Sequence, residues 1–160
     1  MSTVIVDADL ENPTHAEGIV AILDSYARES VGGSQPLSAK VRARLIPELR
    51  AQANAELILA LDSGHPIGVA VCFLGFSTFS AQPLLNLHDL AVLPAHRGRG
   101  IGRSLLVAVE ERAHQRGCCK VTLEVREGNH TARALYKRSG YGDFAPGTES
   151  APTLFLEKRL

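Results

Sequence analysis

Three glycines at alternate positions, Gly98, Gly100 and Gly102, stand in the run "RGRGIG" beside Arg97 and Arg99. The run joins an apolar, strand-like stretch, "LLNLHDLAVL", to one in which Ile101, Leu105, Val109 and Ala113 recur on one helical face. A backbone without Cβ atoms lets successive N–H groups turn toward one point. At a helix start these donors add to the positive end of the helix dipole, so the junction is suited to a phosphate. Arg97, Arg99 and Arg103 would add charge-assisted contacts. A plain strand-to-helix turn could use the glycines for geometry alone, but it has no need of the arginines. No lysine follows as in GxxxxGK[ST], and the third glycine of GxGxxG would fall on Arg103. A nucleoside-triphosphate loop and a dinucleotide fold are therefore both disfavoured.

The 160 residues suffice for one domain with a proper core, so 1–160 reads as a single domain without repeats or linkers. Net charge is zero, yet residues 97–138 hold 10 basic against 4 acidic side chains. That excess suits a phosphorylated small ligand. It is too interrupted for a nucleic-acid track, so no nucleic-acid partner is expected. No apolar run reaches membrane-spanning length and no leader segment opens the chain, so no membrane partner is expected either. The 3 cysteines, Cys72, Cys118 and Cys119, fit a reducing, cytoplasmic setting better than a disulfide framework. No CxxC pair accompanies the histidines, and no metal is expected.

Along the chain, "TVIVDA" reads as a strand. Asn12 and Pro13 start a helix to about Glu29, and Ser38 caps a second to about Gln52, which Pro47 should kink or split. "AELILALDSGHPIGVAVCFLGF" reads as a hairpin around Ser63–Pro66. The strand "LLNLHDLAVL", the glycine loop and a helix over Ile101–Arg116 follow. Then come the strand "CKVTLEV", a short helix over Thr131–Ser139, and a final strand pair in "YGDF" and "TLFLEKR". The order β-α-α-β-β-β-α-β-α-β-β implies an α/β (α+β) fold: a mixed, mostly antiparallel twisted sheet of about six to seven strands flanked by about four helices.

"LAVLPAHRGRGIGRSLL" resembles the signature of the GCN5-related N-acetyltransferases (GNAT), [QR]-x-x-G-x-[GA], which falls here on Arg97, Gly100 and Gly102. A second block, "LEVREGNHTARALYKRSGY", resembles the family's later strand, its asparagine, and its helix with a tyrosine before a Gly-aromatic pair. The two blocks cover about Leu87 to Phe144. The resemblance implies acetyl-CoA as cosubstrate, without a metal. Its pyrophosphate would be held by Gly98, Gly100, Ile101 and Gly102 with Arg97, Arg99 and Arg103. Its pantetheine arm would lie along Ala91 and Val92, and Asn129 would touch it. The Val92 N–H is the candidate oxyanion donor, and Tyr136 matches the family's general acid.

Acyl transfer to an amine also needs a proton acceptor, because an ammonium has no lone pair. His88 and Asp89 are the candidates. Strict strand alternation puts His88 on one face with Leu90 and Val92, and Asp89 on the other with Leu87 and Ala91, unless it is re-aimed by the bulge that the resemblance implies for this strand, together with a splay from the next strand that opens a cleft. Tyr26, Glu29 and His88 are expected to wall the acceptor site. The acidic remainder of the chain favours a small cationic amine. Acetylation of protein or peptide amines is the alternative, and a non-catalytic acyl-CoA-binding module is the alternative of another class. Family members are often dimers, and exposed edges of the last strands could make a homodimer.

Overall fold

The computed structural model describes residues 3–142 and 154–160. Its strands are β1 (Thr3–Asp7), β2 (Ala55–Asp62), β3 (His65–Ser77), β4 (Gln82–Val92) and β5 (Val121–Leu123). Its helices are α1 (Pro13–Ala27), α2 (Ala39–Arg50), α3 (Ile101–Gln115) and α4 (His130–Arg138). The strands form one sheet in the order β1-β2-β3-β4-β5. Every pair is antiparallel except β4 and β5, which run parallel.

Local chemistry explains most element ends. Asn12 caps α1 by accepting the Thr14 N–H, and Ser38 caps α2 by accepting the Val41 N–H. Gly117 and Gly140, beyond α3 and α4, take positive φ angles of 66° and 86°, as helix-ending glycines do. Ser63 and Gly64 carry φ angles of 52° and 83° in the two-residue turn between β2 and β3, which matches the turn geometry that suits twisted hairpins.

Alternation along β2 and β3 splits the core between the two sheet faces. Leu57, Leu59, Val69 and Val71 pack with Ile19 and Ile22 of α1 and with Ile46 and Leu49 of α2. Ile58, Ala60, Ala70 and Cys72 pack with Ile101, Leu105, Leu106, Val109 and Ala113 of α3. The stripe expected on α3 is thus the one buried.

Two expectations are corrected. Of the kink or split expected at Pro47, the split is not made: α2 runs as one helix, and Ile46 and Leu49, on either side of the proline, are both anchored in the core. The sheet has five described strands rather than six or seven. Leu154–Arg159, from the expected last strand, is not in a strand, and Leu154, Phe155 and Leu156 are exposed. An apolar run becomes a strand only where a neighbour receives its ladder bonds, and among the described residues β5 pairs with β4 alone. Tyr141 and Gly142 are not in a strand either, and the rest of the expected pair, 143–153, lies outside the described residues.

A buried charge cluster ties α3 to the far edge of the sheet. Glu56 of β2, 6% exposed, is paired with both Arg112 and Arg116, and Arg112 also reaches Asp7 of β1. Removing Glu56 would leave the largely buried Arg112 with only the exposed Asp7 as counter-charge. Glu56→Ala should therefore lower unfolding stability by about 3 kcal/mol in urea titrations, with little change in ligand affinity, since the cluster lies away from the glycine loop.

Candidate active site

The site begins where β4 loses regularity. On β3, Val71 and Cys72 are consecutive, but they face Asp89 and Leu87 of β4. His88 is therefore the extra residue of a β-bulge. The bulge resets the alternation. Leu85 and Leu87 before it, and Leu90 and Val92 after it, pack on the α3 side, while Ala91 packs on the α1 side. This corrects the strict alternation expected for the strand: His88 does not share a face with Leu90 and Val92. Its ring meets Phe73 edge-on, with centroids 5.6 Å apart, and its side chain is exposed. Phe73 packs with the α1–α2 cluster.

Beyond the bulge the sheet opens. The β4–β5 register runs from Leu85↔Val121 to Leu87↔Leu123 and stops, whereas β4 continues to Val92. The edge of β4 from the bulge to Val92 is thereby free of β5. The Leu93 N–H turns toward β3, donating to the Ile67 carbonyl at 2.9 Å. By alternation, the N–H and C=O of Val92 turn the opposite way, into the opening. This places the expected oxyanion donor at the cleft.

Asp89 is half-buried at this opening, and burial raises its carboxyl above the ordinary aspartate range, partly offset by the charge of His88. Tyr136 of α4 is pushed up to about 12, chiefly by burial, with smaller contributions from Tyr26 and Asp89. Tyr26, near the end of α1, is also raised, by burial first and by Asp89 next. Tyr26 of α1, Asp89 of β4 and Tyr136 of α4 thus lie within electrostatic reach of one another. Tyr136 is backed by Tyr141, with ring centroids 5.9 Å apart.

At the other end of the opening lies the glycine loop. Gly98 and Gly100 take φ angles of 74° and 80°, and a Cβ built on either would meet nothing within 4 Å. The loop is therefore open on its ligand side. Gly100 is the N-cap of α3 and no side chain caps it. The first helical bond runs from the Ser104 N–H to the Gly100 carbonyl. The N–H groups of Ile101, Gly102 and Arg103 in the first turn are thus left for a ligand. Gly102 has a second role: a Cβ there would come within 3.4 Å of Leu135 on α4. Such a cradle fits a diphosphate.

The loop arginines are not all turned toward that cradle. Arg97 pairs with Glu29 through both guanidinium ends, Nη1 donating to Oε2 at 3.0 Å, and its Nε donates to the Val92 carbonyl at 2.8 Å. Arg99 lies 3.7 Å from the buried Asp62 carboxylate and 3.1 Å from the His96 ring nitrogen. Asp62 had no signal in the sequence, since it reads there as the last residue of a hairpin strand. Glu29 was expected only as a wall of the acceptor site. Asn129 caps α4 by accepting the Ala132 N–H at 3.2 Å. Cys118 is half-buried and Cys119 exposed, and neither lies in the cleft cluster.

The Acetyltransferase (GNAT) family model matches residues 19–141. The chain belongs to this family. Among its GNAT relatives is an uncharacterized N-acetyltransferase, YhfO, of Bacillus subtilis (strain 168), 35% identical over 85 residues. That match covers 53% of this chain and 57% of the relative, so the chain spans little more than half the relative's length. Solved structures share the fold. The structure of AAC(6')-Iy in complex with the bisubstrate analog CoA-S-monomethyl-acetylneamine matches with a TM-score of 0.76 and 18% identity, over 100% of both chains. The ribosomal-protein-alanine N-acetyltransferase of Brucella melitensis biovar Abortus 2308 matches with a TM-score of 0.71 and 18% identity, over 96% of this chain and 100% of that one. Both identities are low enough that the likeness is one of fold. Within the matched span lie the bulged strand, the glycine cradle and Tyr136.

Proposed function

We propose that the protein transfers an acetyl group from acetyl-CoA to the amine of a small cationic molecule, by direct attack with both substrates bound. The observation that carries the reading is the opening between β4 and β5 beyond the bulge at His88. The cradle of Gly98, Gly100 and the α3 N-terminus lies at one end, and Asp89, Tyr26 and Tyr136 lie at the other. Acetyl-CoA supplies an activated acyl group as a thioester.

The residues divide the remaining work. The first-turn amides of α3 hold the diphosphate, and Arg103 adds positive charge. The cleft-facing N–H of Val92 meets charge developing on the thioester oxygen. Asp89 accepts the proton that the attacking amine must lose. Its raised carboxyl is a better base than an ordinary aspartate at neutral pH. His88 moderates that rise through its charge and is the alternative acceptor.

Tyr136 protonates the departing sulfur. A phenol raised to about 12 remains protonated at neutral pH, as a donor must, but it is a weak acid. A thiolate leaving inside the cleft is made more basic in the same way, so donor and acceptor stay matched.

The acceptor side is supplied by the end of α1 and by the bulge, where Tyr26, Glu29 and Asp89 offer an aromatic wall and two carboxylates. Such a wall favours an amine that carries positive charge. Tyr136→Phe tests the assignment. We expect kcat to fall about 100-fold or more, while acetyl-CoA affinity measured by calorimetry stays within about twofold, one hydroxyl being lost without a backbone change. Acetyl-CoA binding with no turnover in the unsubstituted protein, on any amine, would favour a binding module instead.

A further inference from the structure

Arg97 occupies an unusual position for a residue of a phosphate-holding loop. Its guanidinium is committed at three points to the protein itself. Two ends meet the Glu29 carboxylate, beyond the C-terminus of α1, and Nε holds the Val92 carbonyl. The Val92 carbonyl lies on the edge of β4 that faces the opening, as derived above. Glu29 is the partly buried member of the pair, 28% exposed against 42% for Arg97. The Glu29 N–H donates to the Tyr26 carbonyl at 3.0 Å, so the pair stands beside the acceptor wall. One arginine therefore spans the two halves of the site: it belongs by sequence to the cradle and by contact to the acceptor side.

We propose that Arg97 is exchanged between Glu29 and the cosubstrate: Glu29 holds it in the free protein, and the acetyl-CoA phosphates take it on binding. This rests on the acetyl-CoA reading given above. The physical basis is competition for one guanidinium fork, whose planar donors match a carboxylate or a phosphate equally well. Arg97 stands one residue before Gly98, so it is within reach of the cradle. Its withdrawal also frees the Val92 carbonyl for an amide donor of the pantetheine arm. On the acceptor side, the exchange leaves Glu29 without its counter-charge. A carboxylate neutralised in the free protein thus becomes an uncompensated anion beside Tyr26 and Asp89 only once acetyl-CoA is in place. A cationic amine would then be seated second.

The sign of one measurement decides the proposal. Glu29→Gln keeps the shape of the side chain and weakens its hold on Arg97. If Glu29 competes with the phosphates, the variant binds acetyl-CoA more tightly, by about 3- to 10-fold in calorimetric titration, the worth of a partly exposed bidentate pair. The gain must vanish in an Arg97→Ala background, where Glu29→Gln should leave acetyl-CoA affinity unchanged. A merely structural role for Glu29 would weaken binding in both backgrounds. Unchanged or weaker binding by the single variant, or a gain that persists without Arg97, overturns the exchange. Failure of the unsubstituted protein to bind acetyl-CoA at all would overturn the acetyltransferase reading, and the exchange with it.

Discussion

Asp89→Asn is expected to lower kcat by about 100- to 10,000-fold and, at the same time, to raise the melting temperature at neutral pH. Both effects come from the same cause. Burial at the bulge raises the Asp89 carboxyl above its value in the unfolded chain. Between the two values the unfolded chain has released a proton that the folded chain retains, so stability declines as pH climbs through that window. Above the window the folded protein carries a poorly solvated charge, which asparagine removes. That charge is what makes Asp89 a base. In the parent protein, the acid limb of kcat/KM should therefore lie above the range of an ordinary aspartate and should be absent from any residual activity of the variant. A variant that loses activity and melts lower would show that Asp89 is a structural residue. One that keeps activity would return the proton-acceptor role to His88.

The second large effect is expected at the cradle. Gly100→Val should reduce acetyl-CoA affinity on the order of 100-fold, because branched methyls would occupy the space into which the α3 amides point. Gly100 has a φ of 80°, a conformation that valine adopts only under strain. The variant should therefore also lose about 1–3 kcal/mol of stability, readable in a denaturant titration. The two effects are separable, since a Cβ at Gly100 meets no protein atom within 4 Å. A folded Gly100→Val protein that binds acetyl-CoA normally would place the phosphates elsewhere.

What the sequence made legible was local. The glycines of "RGRGIG" and the stripe Ile101, Leu105, Val109 and Ala113 encode a turn and a buried helix face within a few residues, and the structure has both. Ser38, Asn12 and Asn129 act as caps through bonds to amides two or three positions on. What could not be read depends on partners far along the chain. The bulge at His88 was implied by the family resemblance alone, since no residue type near it announces the extra position. The bond between Arg97 and Glu29 joins positions 68 residues apart, so the arginine looked like a free phosphate ligand. "TLFLEKR" alternates as a strand would, but alternation does not specify a pairing partner, and Leu154–Arg159 is in no strand of the structure.

The most direct test of the central claim is release of the coenzyme A thiol from acetyl-CoA against a divided panel, run with the parent protein and with Asp89→Asn. One half holds polyamines, aminoglycosides and other small amines. The other holds short peptides with free N-termini or lysines. Release is expected with a member of the first half, and its loss in Asp89→Asn. Release with peptides alone would contradict the small-amine reading, and equal release by the two proteins would contradict the chemistry assigned to the cleft.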